Sequence, residues 1–159
     1  MDECRRAANR RRNWRRSRRK LEKLLALNFP DGGTLVTLTY APGGYIPAGA
    51  YAEDDLYHWL GRCRARLGGA FPYIRGSAAG PDGATVHRIF MPIEREQAAE
   101  LAGVWTYGPA AAELISRERL DDAEELLDPA DGRERGRRSW TASSRIDREE
   151  GRGSAWQKS

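Results

Sequence analysis

Cysteine and histidine, two common ligands of transition metals, are both scarce in this chain. Cys4 and Cys63 are the only cysteines among 159 residues, too few for a disulfide scaffold, and no Cys-x-x-Cys pair or Cys/His cluster has zinc-site spacing. His58 and His87 are the only histidines. The sequence therefore predicts no metal and no other cofactor, and a reducing cytoplasm suits it best.

Long apolar runs are absent as well. No stretch approaches the roughly 20 apolar residues that cross a bilayer, and no apolar region follows the N-terminal arginines as it would in a secretory signal. We therefore expect a cytoplasmic protein without a membrane partner. Hydrophobic residues make up 40% of the chain and charged residues 31%, which predicts one domain with a small core and disorder at one or both ends.

Lysine is rare too, because 24 of the 27 basic residues are arginine, the side chain best shaped for bidentate contact with phosphate. Charge is strongly segregated: the net charge is +8 over residues 1–28, zero over 29–93, −8 over 94–132 and +4 over 133–159. A GC-rich genome would explain the arginine excess but not this clustering. The asymmetry indicates a polyanionic partner for the two ends, or ends that neutralise the acidic middle.

The pattern of apolar residues and turn residues predicts an α+β fold. Helices are expected at 5–27, from about 53 to 67, at 94–105 and at 119–127, and strands at 34–40, 71–75, 84–91 and, more weakly, 110–116. The central β-α-β-β-α-β order is that of a ferredoxin-like split β-α-β sandwich, with an antiparallel sheet of about four to five strands. We divide the chain into a basic N-terminal helix (1–28), an α+β core (29–132) and a basic tail (133–159) that is docked or disordered.

The first helix carries most of the positive charge. Its first half, RRAANRRRNWRRSRRK, is basic almost all round, and only the last two turns, with Leu21 and Leu25, have an apolar stripe that can dock. A phosphate backbone would neutralise its self-repulsion; otherwise the helix is solvated and partly frayed. Trp14 either stacks on a base or packs against the protein.

The strand ATVHRIFM contains the histidine that the sequence places inside the fold. Side chains alternate along a strand, so His87 lies on one face of the sheet and Val86 and Arg88 on the other. We expect His87 to be a hydrogen-bonded sheet residue, whereas His58 lies off the apolar stripe of its helix and is expected at the surface.

After the arginine-rich leading helix, several short segments follow in a distinctive order. These are Leu35-Val36-Thr37-Leu38-Thr39-Tyr40, the arginine-containing helix after it, Tyr73-Ile74-Arg75, the His87 strand, Trp105-Thr106-Tyr107-Gly108, and Gly136-Arg137-Arg138-Ser139-Trp140 through Ser144-Arg145. In these segments and their order the chain resembles, over about residues 9–147, the phage and plasmid rolling-circle replication-associated proteins, which belong to the HUH superfamily of single-strand endonucleases. The segment at 105–108 is similar to the Trp-Pro-His/Tyr-Gly turn of that family, and the segment from 136 to 145 is similar to its Gly-x-Arg-x-Trp-Ser-x-Ser-Arg motif.

The resemblance implies a metal site that this chain does not supply. In that family two histidines flanking one apolar residue hold a divalent metal that polarises the scissile phosphate. The matching positions are Val86 and Arg88, or His87 and Ile89 in the other register, so neither register gives a pair. His87 is then vestigial. Arg88, at a former ligand position, is a candidate to replace the charge of the metal and bind phosphate directly.

The family's nucleophile is missing as well. A tyrosine on the helix after the last strand attacks the phosphate in those enzymes, whereas the helix at 119–127 has Glu124 and Glu125 near that place and no tyrosine. We therefore expect the fold of the family without its reaction and assign no catalytic residue.

The leading hypothesis is a non-catalytic nucleic-acid-binding protein of a phage or mobile element, derived from a rolling-circle replication initiator and active in the cytoplasm of a bacterial host. Single-stranded DNA is the expected partner, held by the basic helix, by a groove along the sheet and by the tail. The expected contacts are Arg10, Arg11, Arg12, Trp14, Arg15, Arg16, Arg18, Arg19, Arg62, Arg64, Arg66, Arg75, Arg88, Arg137, Arg138 and Trp140.

Two other functions stay open. The acidic segment 113–131 would suit a protein inhibitor of the anti-CRISPR type, which occupies the basic groove of a host nucleic-acid-processing enzyme as a partial nucleic-acid mimic; the plainer reading is a solvated face that balances the basic helix. The other alternative is an active single-strand nickase with an atypical site.

Overall fold

An antiparallel sheet of five strands forms the middle layer of the molecule. The computed structural model describes residues 2–45, 47, 49–80, 82–129, 140–146 and 148. The strands are β1 (Gly33–Leu38), β2 (Ile74–Ala79), β3 (Thr85–Met91), β4 (Ala110–Ile115) and β5 (Trp140–Ala142), in the spatial order β4-β1-β3-β2-β5. The helices are α1 (Glu3–Asn28), α2 (Ala50–Leu67), α3 (Arg95–Gly103) and α4 (Leu120–Leu127), and a short 3₁₀ turn (Arg117–Arg119) precedes α4.

The predicted ferredoxin-like sandwich is confirmed. Strands β1 to β4 with α2 and α3 follow the split β-α-β order, and every neighbouring pair of strands is antiparallel. His87 on β3 pairs with Leu38 on β1 and with Ser77 on β2, so it lies in the centre of the sheet, as expected.

Helices cover both faces of the sheet, and each face has its own core. One core joins α2 and α3 to residues of one sheet face, including Val36, Leu38, Ile89 and Met91. The other joins α1 and α4 to residues of the opposite face, including Leu35, Ile74, Phe90 and Ile115. Because both faces are covered, the sheet offers no wide open surface along the described residues.

Helix α1 is longer than its docked part. It runs without interruption because it contains no proline or glycine, and the side chain of Asp2 accepts a hydrogen bond from the backbone N–H of Cys4 at its start. Its buried residues are confined to its C-terminal turns: Leu21, Leu24, Leu25 and Asn28. The fully buried residues therefore lie in the turns where the apolar stripe was predicted, whereas polar contacts of the helix described below lie further toward its N-terminus.

Strand β2 starts later than predicted. The sequence indicates a strand at 71–75, but pairing with β3 begins at Ile74 and continues to Ala79. Phe71 belongs to the core and packs on Tyr73 with ring centroids 5.3 Å apart, before the ladder begins. The strand continues through small residues, and Gly76 is small for a packing reason: a Cβ there would lie 2.8 Å from the Cα of Leu127 on α4.

Part of the basic tail belongs to the folded body. Strand β5 pairs with the edge of β2, and Trp140 and Ile146 join the core beneath α1 and α4. The core therefore extends beyond residue 132. The docked alternative holds for residues 140–146; residues 130–139, 147 and 149–159 lie outside the described part.

Within the described residues, no helix combines the length and the apolar character that spanning a bilayer requires.

Candidate functional site

The outer face of α1 carries a row of exposed arginines. Arg12, Arg16 and Arg19 fall at i, i+4 and i+7 and surround a shallow depression on the helix surface. Arg10, Arg11 and Arg15 are also exposed, and Arg11 and Arg15 line a second depression with Arg12 and Arg19. Within the described residues, none of these six guanidinium groups forms a salt bridge. The face therefore presents unneutralised positive charge in a fixed helical arrangement.

Arg18 differs from its neighbours because it anchors the helix. Its Nε donates to a carboxylate oxygen of Glu124 on α4, and its Nη1 donates to the carbonyl of Asp128 at 3.2 Å. The Arg18 and Glu124 side chains are only 21% and 12% exposed. On the other side of α1, the indole N–H of Trp140 donates to the hydroxyl of Ser17 at 3.0 Å. These contacts fix the helix to α4 and β5.

Trp14 is half-buried. The guanidinium carbon of Arg18 lies 5.6 Å from the centroid of its ring, within the range of a cation–π interaction. Of the two roles open for this residue from the sequence, the geometry favours packing over base stacking.

The other predicted contacts do not form one surface. Arg75 and Arg88 project from opposite faces of the sheet, because Arg75 pairs with Ile89 and the next residue, Gly76, pairs with Arg88. Arg75 lies on the α2 face, where its Nη1 donates to Glu53 at 2.9 Å and its guanidinium lies 5.5 Å from the ring of Tyr57. Glu53 raises the pKa of Arg75 although burial opposes it.

Arg88 lies on the face covered by α1 and α4 and is half-buried. Burial lowers the pKa of its guanidinium, and it has no salt bridge to any carboxylate of the described chain. The α2 arginines Arg62, Arg64 and Arg66 are exposed in the other helical layer. The sheet therefore does not bring the five arginines at 62, 64, 66, 75 and 88 into one groove.

Two predicted contacts in the tail lie outside the described residues, and a third is inside the core. The structure describes neither Arg137 nor Arg138. Trp140 is 1% exposed, so its indole supports α1 from within and does not lie on the surface.

His87 belongs to a buried polar network on the α2 face. Its Nε2 lies 3.2 Å from the hydroxyl oxygen of Tyr40, which donates its own proton to Oδ2 of Asp55 at 2.9 Å. Tyr45 donates to the same carboxylate oxygen at 3.0 Å. Since the single proton of Tyr40 goes to Asp55, Nε2 of His87 carries the hydrogen and donates it to Tyr40. His87 is therefore a neutral donor within the core.

Burial sets the protonation of this network. It lowers the pKa of His87 to about 4, and nearby Arg75 acts in the same direction, while Glu53, Asp55 and the backbone of Ala52 oppose it. Burial also raises the pKa of Tyr40, and the hydrogen bond to Asp55 raises it further. An imidazole that donates through Nε2 and is fully buried does not offer that nitrogen to a metal. Within the described residues, no group of three or more His, Cys, Asp or Glu side chains could hold an ion.

The carboxylates of the acidic segment are partly used inside the protein. Glu124 binds Arg18, and Glu113 and Asp122 both bind Arg119, at 3.1 and 2.7 Å. Asp128 is buried, and Asp131 lies outside the described residues. The exposed carboxylates that remain on this segment outside these pairs are Glu118, Asp121 and Glu125.

Sequence reasoning missed the buried network around Asp55. The signal was present, because Asp55 lies on the buried side of α2 with Ala52, Leu56 and Trp59, where an acid requires a partner. The partners of Asp55 are tyrosines from the segment that follows β1. Their approach to Asp55 depends on tertiary packing that local pattern does not reveal.

Comparison of the chain with protein-family models, with curated proteins and with solved structures gave no match in any of the three.

Proposed function

We propose that this chain is a non-catalytic nucleic-acid-binding protein of a phage or mobile element, built on the scaffold of a rolling-circle replication initiator. The observation that carries the proposal is the outer face of α1, where Arg12, Arg16 and Arg19 are exposed and form no salt bridge within the described chain. A helix with this row of charge, held firmly to the protein, is suited to follow a phosphate backbone.

The anchoring of α1 strengthens the proposal. Arg18 and Ser17 hold the helix to α4 and β5, so the row of arginines has a fixed direction relative to the sheet. A preorganised cationic face loses less entropy on binding than a frayed segment would. From Arg10 to Arg19 the exposed arginines cover about 14 Å of the helix axis, so the face is long enough for a few successive phosphates.

The absence of catalysis is part of the proposal, and the environment of His87 supports it. In the HUH endonucleases that the chain resembles, the imidazoles face a metal and the phosphate. Here His87 is buried, and its Nε2–H donates a hydrogen bond to Tyr40. The position near the family's nucleophile is taken by Glu124, which is bonded to Arg18. Both groups contribute to packing in this chain.

The salt dependence of binding tests the proposal. We expect the full-length protein to bind a fluorescently labelled single-stranded oligonucleotide with log K falling linearly against log salt. The slope should be about −2 or steeper, the value for three or more phosphate contacts on a single strand. Binding without salt dependence, or no binding at low salt, would contradict the proposal. Incubation of the same complex with Mn²⁺ or Mg²⁺ tests the nickase alternative, because cleavage or a covalent adduct would overturn the non-catalytic assignment.

A further inference from the structure

Four aromatic side chains form a contiguous cluster beyond the end of β1. Tyr40 and Tyr45 lie in the segment that follows β1, and Trp105 and Tyr107 lie in the turn between α3 and β4. The centroids of neighbouring rings are 5.0 to 6.2 Å apart. The indole N–H of Trp105 donates to the carbonyl of Thr39 at 2.8 Å, which fixes the turn to β1. The rings touch one another and leave no gap for a cation between them, so the cluster is not an aromatic cage.

Two of these rings reach the surface. Tyr45 is 49% exposed, while its hydroxyl is bonded to the buried carboxylate of Asp55, so the ring itself accounts for much of the exposed area. Tyr107 is half-buried, its ring centroid lies 6.2 Å from that of Tyr45, and the two planes differ by 37°. Burial raises the pKa of the Tyr107 hydroxyl, and the nearby carboxylate of Asp55 raises it further. The hydrogen bond to Asp55 holds the ring of Tyr45 in place.

A guanidinium lies near Tyr107. Arg62 is exposed on α2, its Nη1 donates to the carbonyl of Val104 at 3.2 Å, and its charge opposes the increase in the Tyr107 pKa. Exposed rings beside an arginine have the chemistry of a single-stranded nucleic-acid site, where bases stack on aromatic faces and the cation contacts a phosphate. A protein partner would require a broader apolar patch. The other large exposed apolar residues of the described chain are Tyr51, Tyr57 and Leu114, which are too few to provide one.

We propose that Tyr45 and Tyr107 form a stacking surface for unpaired bases, with Arg62 contacting an adjacent phosphate. The inference rests on the proposed nucleic-acid-binding function and specifies it as binding of a single strand. It concerns a surface on the α2/α3 side of the sheet, whereas the arginine row of α1 lies on the other side, so the two can be tested separately.

Substitutions at Tyr45 test the stacking surface, because the ring and the hydroxyl can be removed separately. We expect Tyr45→Ala in the full-length protein to weaken binding of single-stranded DNA by roughly 5-fold to 100-fold, the range of one lost base–aromatic stack. Tyr45→Phe keeps the ring and should bind within about twofold of wild type. Tyr51→Ala removes an exposed tyrosine outside the cluster and serves as the matched control. Circular dichroism of each variant checks that the fold is retained.

Two further readouts distinguish stacking from charge. The slope of log K against log salt should be the same for Tyr45→Ala and wild type, because the lost contact is not ionic. An abasic strand of the same length should bind wild type and Tyr45→Ala equally. Photocrosslinking of wild type to a strand containing 5-iodouracil, mapped by mass spectrometry, should label Tyr45 or Tyr107, and it needs no substitution.

The outcomes separate this inference from the proposed function. If wild type binds with a steep salt slope but Tyr45→Ala binds as tightly as wild type and crosslinks map only to α1, the stacking surface is wrong and nucleic-acid binding stands. If wild type does not bind single strands at all, both are wrong.

Discussion

Nε2 of His87 and the hydroxyl oxygen of Tyr40 lie 3.2 Å apart inside the core, and the tyrosine hydroxyl donates a hydrogen bond to Asp55. This pair explains why the histidine of the central strand is neutral and buried. Protonation of His87 would add a charge that burial strongly disfavours, next to the cation Arg75. The imidazole thus links a strand of the sheet to α2 through a tyrosine and a carboxylate.

The lowered pKa of His87 predicts acid sensitivity of the fold. The folded imidazole titrates at about 4 and the unfolded one at the ordinary 6.5. Between these values the unfolded state binds the proton and the folded state does not, so stability falls as the pH is lowered through this window. We expect a loss of about 3 kcal/mol from pH 7 to pH 4 that is specific to this residue. Urea unfolding at several pH values measures it.

The control for this prediction is a pair of histidine variants. His87→Gln retains a neutral N–H donor toward Tyr40 and should show a correspondingly flatter dependence of unfolding free energy on pH. His58→Gln changes an exposed histidine and should behave as wild type. Equal pH dependence in all three proteins would show that His87 titrates normally in the folded state.

Loss of the Arg18–Glu124 ion pair should loosen α1. The side chains are 21% and 12% exposed, so Glu124→Gln leaves a poorly hydrated guanidinium without its carboxylate. We expect a loss of about 1–3 kcal/mol in the free energy of unfolding. Asp122→Asn breaks the exposed ion pair with Arg119 on the same helix and should cost less than about 1 kcal/mol. Urea denaturation compares the two, and similar losses would mean that the pair does not anchor the helix.

The arginine row of α1 should determine the salt dependence of binding. R12A/R16A removes two exposed guanidinium groups at positions where alanine favours the helix. We expect the slope of log K against log salt on single-stranded DNA to become shallower by about 1.4, with affinity reduced about tenfold or more. R95A/R117A removes two exposed arginines elsewhere and is the matched control. An equal change in both double variants would assign the effect to net charge rather than to α1.

The environment of Arg88 is suited to binding an anion. It is partly desolvated and has no carboxylate partner in the described chain. If a phosphate oxygen reaches it, Arg88→Ala should weaken binding of single-stranded DNA by about tenfold. The affinity of Arg88→Lys should lie between those of Arg88→Ala and wild type, because lysine keeps the charge but not the bidentate geometry. Unchanged affinity in Arg88→Ala, measured by fluorescence anisotropy, would remove Arg88 from the interface.

The elements with strong local signals were predicted correctly from the sequence. Helix α1 has no proline or glycine to interrupt it, and the alternation along β3 assigned His87 and Arg88 to opposite faces of the sheet. The order of strands and helices was enough to indicate the sandwich, because few topologies accommodate it. These inferences depend on neighbours in sequence, where periodicity is informative.

The arrangement of the candidate site was much less predictable. Arg75 and Trp140 were both predicted as nucleic-acid contacts. In the structure Arg75 is bonded to Glu53, and Trp140 is buried beneath α1. Both outcomes depend on residues distant in sequence. The same holds for Asp55, whose partners Tyr40 and Tyr45 reach it only when the sheet and α2 have assembled.

The contact between Ser17 and Trp140 has a consequence for the order in which the protein matures on the ribosome. The two residues are 123 positions apart, so α1 lacks this contact until β5 has been synthesised. A nascent chain interrupted before β5 would therefore carry its arginines on an incompletely docked helix. Non-local closure of this kind slows folding, and it makes full docking of the cationic helix depend on the synthesis of β5.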